Sequence, residues 1–141
     1  MQILAVDIGT GTQDILLYNS DFTPENCYKI IAPSPTMILR RKIIQATRRQ
    51  MPILITGVIM GGGPCHWAVE DHLRHKLAVY ATPEAAQTFN DDLDKVKQMG
   101  ITIVSEDEAS QLSNTTLPFH FCDLDISAIE NAFQSLSVSL A

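Results

Sequence analysis

The sequence holds few cysteines, no basic surplus and no long apolar run, and each shortage narrows what the chain can be. Its three cysteines, Cys27, Cys65 and Cys122, are far apart and odd in number. No Cys-x-x-Cys pair or tighter cluster occurs, so neither a disulfide framework nor a local zinc or Fe–S site is encoded. Reduced, buried thiols are the expectation. Ten Lys and Arg stand against sixteen Asp and Glu, a net charge of −6. That balance argues against general nucleic-acid binding, which usually shows as a basic excess. No apolar run reaches the roughly 18 residues of a membrane span. Met1 leads straight into a strand pattern, with no signal-peptide layout. A cytoplasmic protein without membrane or nucleic-acid partners is expected. No internal repeat or low-complexity linker interrupts the chain.

What is present fits a compact α/β domain. The 141 residues, 45% of them hydrophobic, suffice for one domain with a buried core. Residues 2–7 and 14–19 read as strands joined by a glycine-containing loop at 8–13, and 28–32 as a third strand. A helix is expected from about Thr36, a potential N-cap, to Gln50. The pattern then alternates: strand 52–58, helix 65–76, strand 77–82, and a helix from Pro83 to Met99 stopped by Gly100. Strand 101–105, a helical turn at 106–112, strand 117–123 and an amphipathic helix at 126–136 complete it. Antiparallel strands followed by strand–helix units imply a layered α/β domain over 1–141, with a mixed sheet and flanking helices. The closing stretch, SLSVSLA, follows the last helix with no obvious closing element.

The stretch AVDIGTGTQDILLY, residues 5–18, admits two readings. Gly9 and Gly11 flank Thr10, and such a loop can bring backbone N–H groups close to a phosphate. Asp7, at the strand end, could hold a metal-bound water. A plain β-hairpin needs no more than the same residues.

VDIGTGTQDILLY resembles the first phosphate motif of the actin-like ATPase superfamily, which includes sugar kinases, actin and the heat-shock chaperone ATPases. ITGVIMGGGP, WAVEDHLR, VYATPEAA, TFNDDL and IVSEDEA are similar to an uncharacterised prokaryotic family that carries the label pyruvate formate-lyase activating enzyme. The resemblance implies a ribonuclease H-like lobe with ATP and Mg²⁺ as cofactors. Asp7 would lie near the Mg²⁺, through water, and Gly9, Thr10 and Gly11 would contact phosphates. Where several relatives place Lys, Ser or Arg, this chain has Gln13 and Asp14, and a carboxylate there repels phosphate unless a cation intervenes. The second phosphate motif and the adenosine motif of the superfamily are not found. Members of the family are longer, which implies one lobe of a two-lobe protein, completed by a second lobe, a partner chain or a homodimer. The activating-enzyme label finds no support in the residues, because radical S-adenosylmethionine chemistry needs three closely spaced cysteines.

A second glycine loop, Gly61, Gly62 and Gly63 before Pro64, sits between a predicted strand and a helix, where N–H groups and a positive helix end can meet an anion. A tight turn needing small residues explains it equally. Cys65 next to it could have a lowered thiol pKa at a helix N-terminus. His72 and His75, beside Glu70 and Asp71, could share a helix face as metal ligands or form a solvated surface. Trp67 reads as a core or lobe-interface anchor. Half of the basic residues, Arg40, Arg41, Lys42, Arg48 and Arg49, fall within ten positions, as a solvated face or a surface for an anionic partner.

These readings converge on a lobe that binds nucleotide phosphates or another phosphorylated small molecule. Its contacts are Asp7, Gly9, Thr10 and Gly11, with Gly61 to Gly63 as a second set. Phosphoryl chemistry there would rest on Mg²⁺ and positioning rather than on a protein nucleophile, and no catalytic residue is identified. The alternatives are a non-catalytic binding or assembly module of the same fold, and a thiol or metal enzyme centred on Cys65 and His72.

Overall fold

The computed structural model describes residues 1–59 and 63–140. In chain order its main elements are β1 (Gln2–Ile8), β2 (Thr12–Asn19), β3 (Tyr28–Pro33), α1 (Pro35–Arg48), β4 (Ile53–Gly57) and α2 (Gly63–Arg74). There follow β5 (Val79–Ala81), α3 (Pro83–Ala86), α4 (Leu93–Gln98), β6 (Thr102–Ile103), α5 (Glu106–Leu112), β7 (Leu117–Phe121) and α6 (Ile126–Ser135). The chain forms two compact units, Met1–Pro35 with Leu124–Ala141, and Thr36–Asp123.

The first unit is an antiparallel sheet in the order β1-β2-β3. Successive side chains along a strand point to opposite faces. One face carries Leu4, Val6, Ile15, Leu17 and Ile30, which pack on Ile129 and Phe133 of α6. The expected six-residue loop is only three residues long, because β2 begins at Thr12. Gln13 explains the early start: it is buried, and its Nε2 donates to the Pro33 carbonyl, tying β2 to β3.

The second unit is built on a parallel sheet, β6-β5-β4-β7. Ile53, Ile55, Val79 and Ala81 pack with Leu39, Ile43 and Ala46 of α1 and with Cys65, Ala68 and Val69 of α2. Leu54 and Tyr80, on the other face, pack with Val104, Ala109 and Leu112 at α5. The strands therefore hydrogen-bond as two sheets and not as the one mixed sheet expected. β4 has parallel neighbours on both sides, so it has no edge left for an antiparallel partner.

The helix expected over Pro83–Met99 is two helices. Asn90 Oδ1 accepts from the Asp92 N–H, and Asp92 Oδ1 caps α4 by accepting from the Asp94 N–H. Such side chains offer the backbone partners that compete with a continuous helix. Gly100 ends the segment with φ +98°, the left-handed stop expected of it. Thr36 is not an N-cap, since α1 already begins at Pro35. No described helix is long and apolar enough to cross a membrane.

Candidate functional site

The β1–β2 register brings together the first group of predicted residues. Asp7 pairs with Asp14, and Asp14 with Ile31 of β3. By alternation Ala5, Asp7, Asp14, Leu16, Lys29 and Ile31 share the sheet face that points away from α6. All six line a groove of about 380 Å³. Its floor is mostly apolar, with Ile31 73% exposed, and it carries two carboxylates and one ammonium.

Side chains directly opposite in such a ladder have Cβ atoms roughly 4.5–5.5 Å apart, and like charges so placed repel. Neither Asp7 nor Asp14 has an ion pair among the described residues. Asp14 accepts only a long hydrogen bond, 3.4 Å, from Thr12 Oγ1. Two hard oxygen donors in this relation suit Mg²⁺, which commonly binds one or two carboxylates together with phosphate oxygens and water.

The loop itself is held by its carbonyls. Ser34 Oγ donates to the Thr10 carbonyl at 2.7 Å, and the Ser34 N–H donates to the Gly11 carbonyl at 3.1 Å. A trans peptide sets C=O and N–H in opposite directions, so the Gly11 N–H points away from Ser34. The Thr10 and Gly11 N–H groups make no hydrogen bond among the described residues, whereas the Gly9 N–H donates to the Thr12 carbonyl. Neither glycine adopts a positive φ. A Cβ on Gly11 would meet nothing within 4 Å, and one on Gly9 only the Thr12 carbonyl at 3.4 Å. The turn can therefore form without glycine, whereas close approach of a ligand to its backbone needs it.

Gln13, read as part of this loop, faces the opposite side with Ile15 and takes no part in the groove. Sequence reasoning missed Lys29 and Ser34. Lys29 became part of the site only through the β2–β3 register, and Ser34 only through its hydrogen bonds to the loop.

Of the second loop, Gly61 and Gly62 lie outside the described residues. Gly63 opens α2, is exposed, and belongs to the second unit. Cys65 is the buried thiol expected of it and lacks the lowered pKa that a helix N-terminus could give. It is fully buried, accepts from Thr36 Oγ1 at 3.3 Å and donates to the Thr36 carbonyl at 3.2 Å. Burial pushes its pKa up, and the Thr36 hydroxyl and the Arg40 backbone offset this only in part.

His72 and His75 do not share a ligand face. His72 is buried and His75 exposed. Thr47 Oγ1 donates to the Ile43 carbonyl, so it accepts from His72 Nδ1 at 2.8 Å, which places the ring proton on Nδ1. His72 Nε2 is left buried without a well-formed hydrogen bond, and desolvation lowers the His72 pKa. No group of three or more His, Cys, Asp or Glu that could hold a metal ion occurs among the described residues. The thiol-and-metal alternative loses its geometry with these two placements. Trp67 is not a core residue, being 66% exposed on α2.

One further pair lies at the carboxyl ends of the parallel strands. His120 of β7 hydrogen-bonds Thr56 of β4, Nδ1 to Oγ1 at 3.1 Å. Gly57 beside it has φ +73°, and a Cβ there would sit 2.2 Å from the Phe121 carbonyl and 2.6 Å from His120 Cε1. Only glycine lets β7 and the His120 ring come this near. No periodicity in the sequence marked the pair, which exists because β4 and β7, distant in sequence, are neighbours.

A family model with the description "Putative pyruvate format-lyase activating enzyme (DUF1786)" matches residues 60–141. No curated protein and no solved structure matches the chain.

Proposed function

The chain belongs to this family, which covers more than half of it, and we propose that it is a nucleotide- or phosphate-binding lobe whose Asp7–Gly11 hairpin holds phosphate with the help of Mg²⁺. The finer reading is an actin-like, ribonuclease H-like lobe that takes ATP. It is supported by the likeness of VDIGTGT to the superfamily's first phosphate motif, and by an antiparallel hairpin that precedes parallel strand–helix units.

The observation that carries the proposal is the pairing of Asp7 with Asp14 beside two N–H groups that have no partner among the described residues. The carboxylates would hold the cation or its water shell. The Thr10 and Gly11 N–H groups would donate to phosphate oxygens, and Lys29 adds a positive charge on the same face. The departure at Asp14 then becomes part of the site: with a cation between the two carboxylates, repulsion of phosphate turns into attraction. The family's description implies radical chemistry. The three-cysteine set that such chemistry needs is not provided by Cys65, which is buried against Thr36, or by Cys27, which is buried in the other unit.

A second reading, binding without turnover, is favoured by the groove lining, whose titratable groups are two carboxylates and one ammonium. Thermal-shift titration with Mg·ATP, Mg·ADP and Mg²⁺ plus inorganic phosphate tests the site, on wild type and on Asp7→Asn. Ligand at about 100 times its dissociation constant stabilises by roughly 2.7 kcal/mol. A shift that needs Mg²⁺ and is lost in Asp7→Asn supports the site, and phosphate release then separates turnover from binding. The absence of any shift would sink the proposal for this chain.

A further inference from the structure

The stretch from Arg40 to Arg49 holds five of the ten basic residues and none of the sixteen acids, so the rest of the chain has five bases against sixteen acids. The structure sets most of this stretch on α1, whose buried side is Leu39, Ile43 and Ala46. Arg41 and Arg48 are seven residues apart, two turns or about 10 Å of rise. They lie on one line opposite that buried side, and Lys42 and Arg49 flank them. All four are exposed and Arg40 is half-buried. None of the five makes an ion pair among the described residues.

The complement lies within the same unit. α5 opens with Glu106, Asp107 and Glu108, all exposed, and has no basic residue. Ser105 bonds to Glu108 and lowers its pKa, which keeps it ionised. None of these three acids has an ion pair among the described residues. α1 packs on the Ile53 and Ile55 face of the parallel sheet, α5 on the Leu54 face. One unit thus presents a basic helix on one face of its sheet and an acidic turn on the other.

We propose that this chain associates with a second copy of itself, the basic face of α1 on one copy receiving the acidic first turn of α5 on the next. A contact between patches on opposite faces is heterologous. A two-fold axis cannot satisfy both patches at once, so the assembly grows head to tail. Exposed charge pairs are individually weak and screened by salt, so the association is ionic-strength dependent. An acidic copy of the same chain fits α1 better than a nucleic acid does, because the acidic remainder of the chain would repel a polyanion.

Sedimentation velocity on the full chain tests this at about 10 mM and about 1 M salt, where the screening length falls from about 30 Å to about 3 Å. Wild type is expected to rise in mass with concentration at low salt, past the dimer, and to be a single chain at high salt. R41E/R48E and E106K/D107K should each be single chains at low salt with wild-type circular dichroism. An equimolar mixture of the two should associate again, since each carries the charge the other lost. The single variants R48Q and D107N, gentler on the fold, should each weaken association severalfold. A wild type that stays a single chain at low salt overturns the proposal, as does a plateau at dimer or a mixture that stays dissociated. Capture of a short duplex DNA without self-association would give α1 to a polyanion and overturn it too.

Discussion

Asp7 and Asp14 stand directly opposite one another in the β1–β2 ladder, two carboxylates without an ion pair among the described residues. This opposition costs the hairpin stability. In the proposed site the same opposition would hold a divalent ion. Asp14→Asn is expected to melt higher than wild type in EDTA and to lose the Mg²⁺-dependent rise expected of wild type. Scanning fluorimetry with and without Mg²⁺ reads both effects, and an undiminished Mg²⁺ response in the variant would rule out the shared cation.

Two glycine substitutions should behave in opposite ways. Gly11→Ala meets open space and no positive φ, so its melting temperature should stay close to wild type while the Mg·phosphate shift shrinks. Gly57→Ala places a methyl against the Phe121 carbonyl at φ +73°. It should cost at least about 2 kcal/mol, from the left-handed conformation together with the displacement of β7. Urea unfolding of both variants measures the contrast. A large loss in Gly11→Ala would assign that glycine to the turn and not to a ligand.

His72 gives the fold a pH dependence of known sign. Its folded pKa is lowered, because burial disfavours the charged ring by more than the backbone of Ala78 favours it. The contribution to stability is fully present above the unfolded value of about 6.5 and is lost as pH falls from there toward the folded pKa. Melting temperatures should decline from pH 7 to pH 5. In His72→Leu the decline should flatten, with Thr47 keeping its bond to the Ile43 carbonyl. An equally steep decline in the variant would place the titration elsewhere.

Cys65 should resist thiol reagents in the folded chain. Its raised pKa and full burial keep it a thiol, and the donation to the Thr36 carbonyl requires that form. This stabilising contribution is present below the ordinary thiol pKa and fades as pH rises through the higher folded value. Native labelling with an aromatic disulfide should mark the half-buried Cys122 first and reach Cys65 only on unfolding. Rapid native modification of Cys65, identified by mass spectrometry, would contradict the buried placement.

Much of the fold was legible from local pattern. The apolar alternation of β1 to β3, the helical spacing of α1 and α6, and the turn at Gly100 all appear where periodicity and turn chemistry put them. The sequence signal failed where a long-range partner decides. Asn90 and Asp92 split a segment whose apolar spacing read as one helix. The division into two sheets depends on β7 taking the edge of β4, a pairing across about sixty residues that no local window contains. The candidate site shows the same limit. Asp7, Gly9, Thr10 and Gly11 were legible because they are contiguous. The opposition of Asp14, the addition of Lys29 and the clasp by Ser34 exist only in the register. His72 and His75 part company for a related reason: sequence gives spacing along a helix but not which side of it is inward.

The first unit is discontinuous in the chain, and this has a consequence for synthesis. The apolar face of β1 to β3 is covered by Ile129 and Phe133, which leave the ribosome about a hundred residues later. At about 5–20 residues per second, Leu4, Val6, Ile15 and Leu17 wait roughly 5–20 s for their cover. The segment Thr36–Asp123, complete in itself along the chain, emerges during that wait. The β1–β3 sheet, translated before Thr36–Asp123, is therefore covered only after it, and the nascent chain carries an open apolar sheet that chaperones can hold.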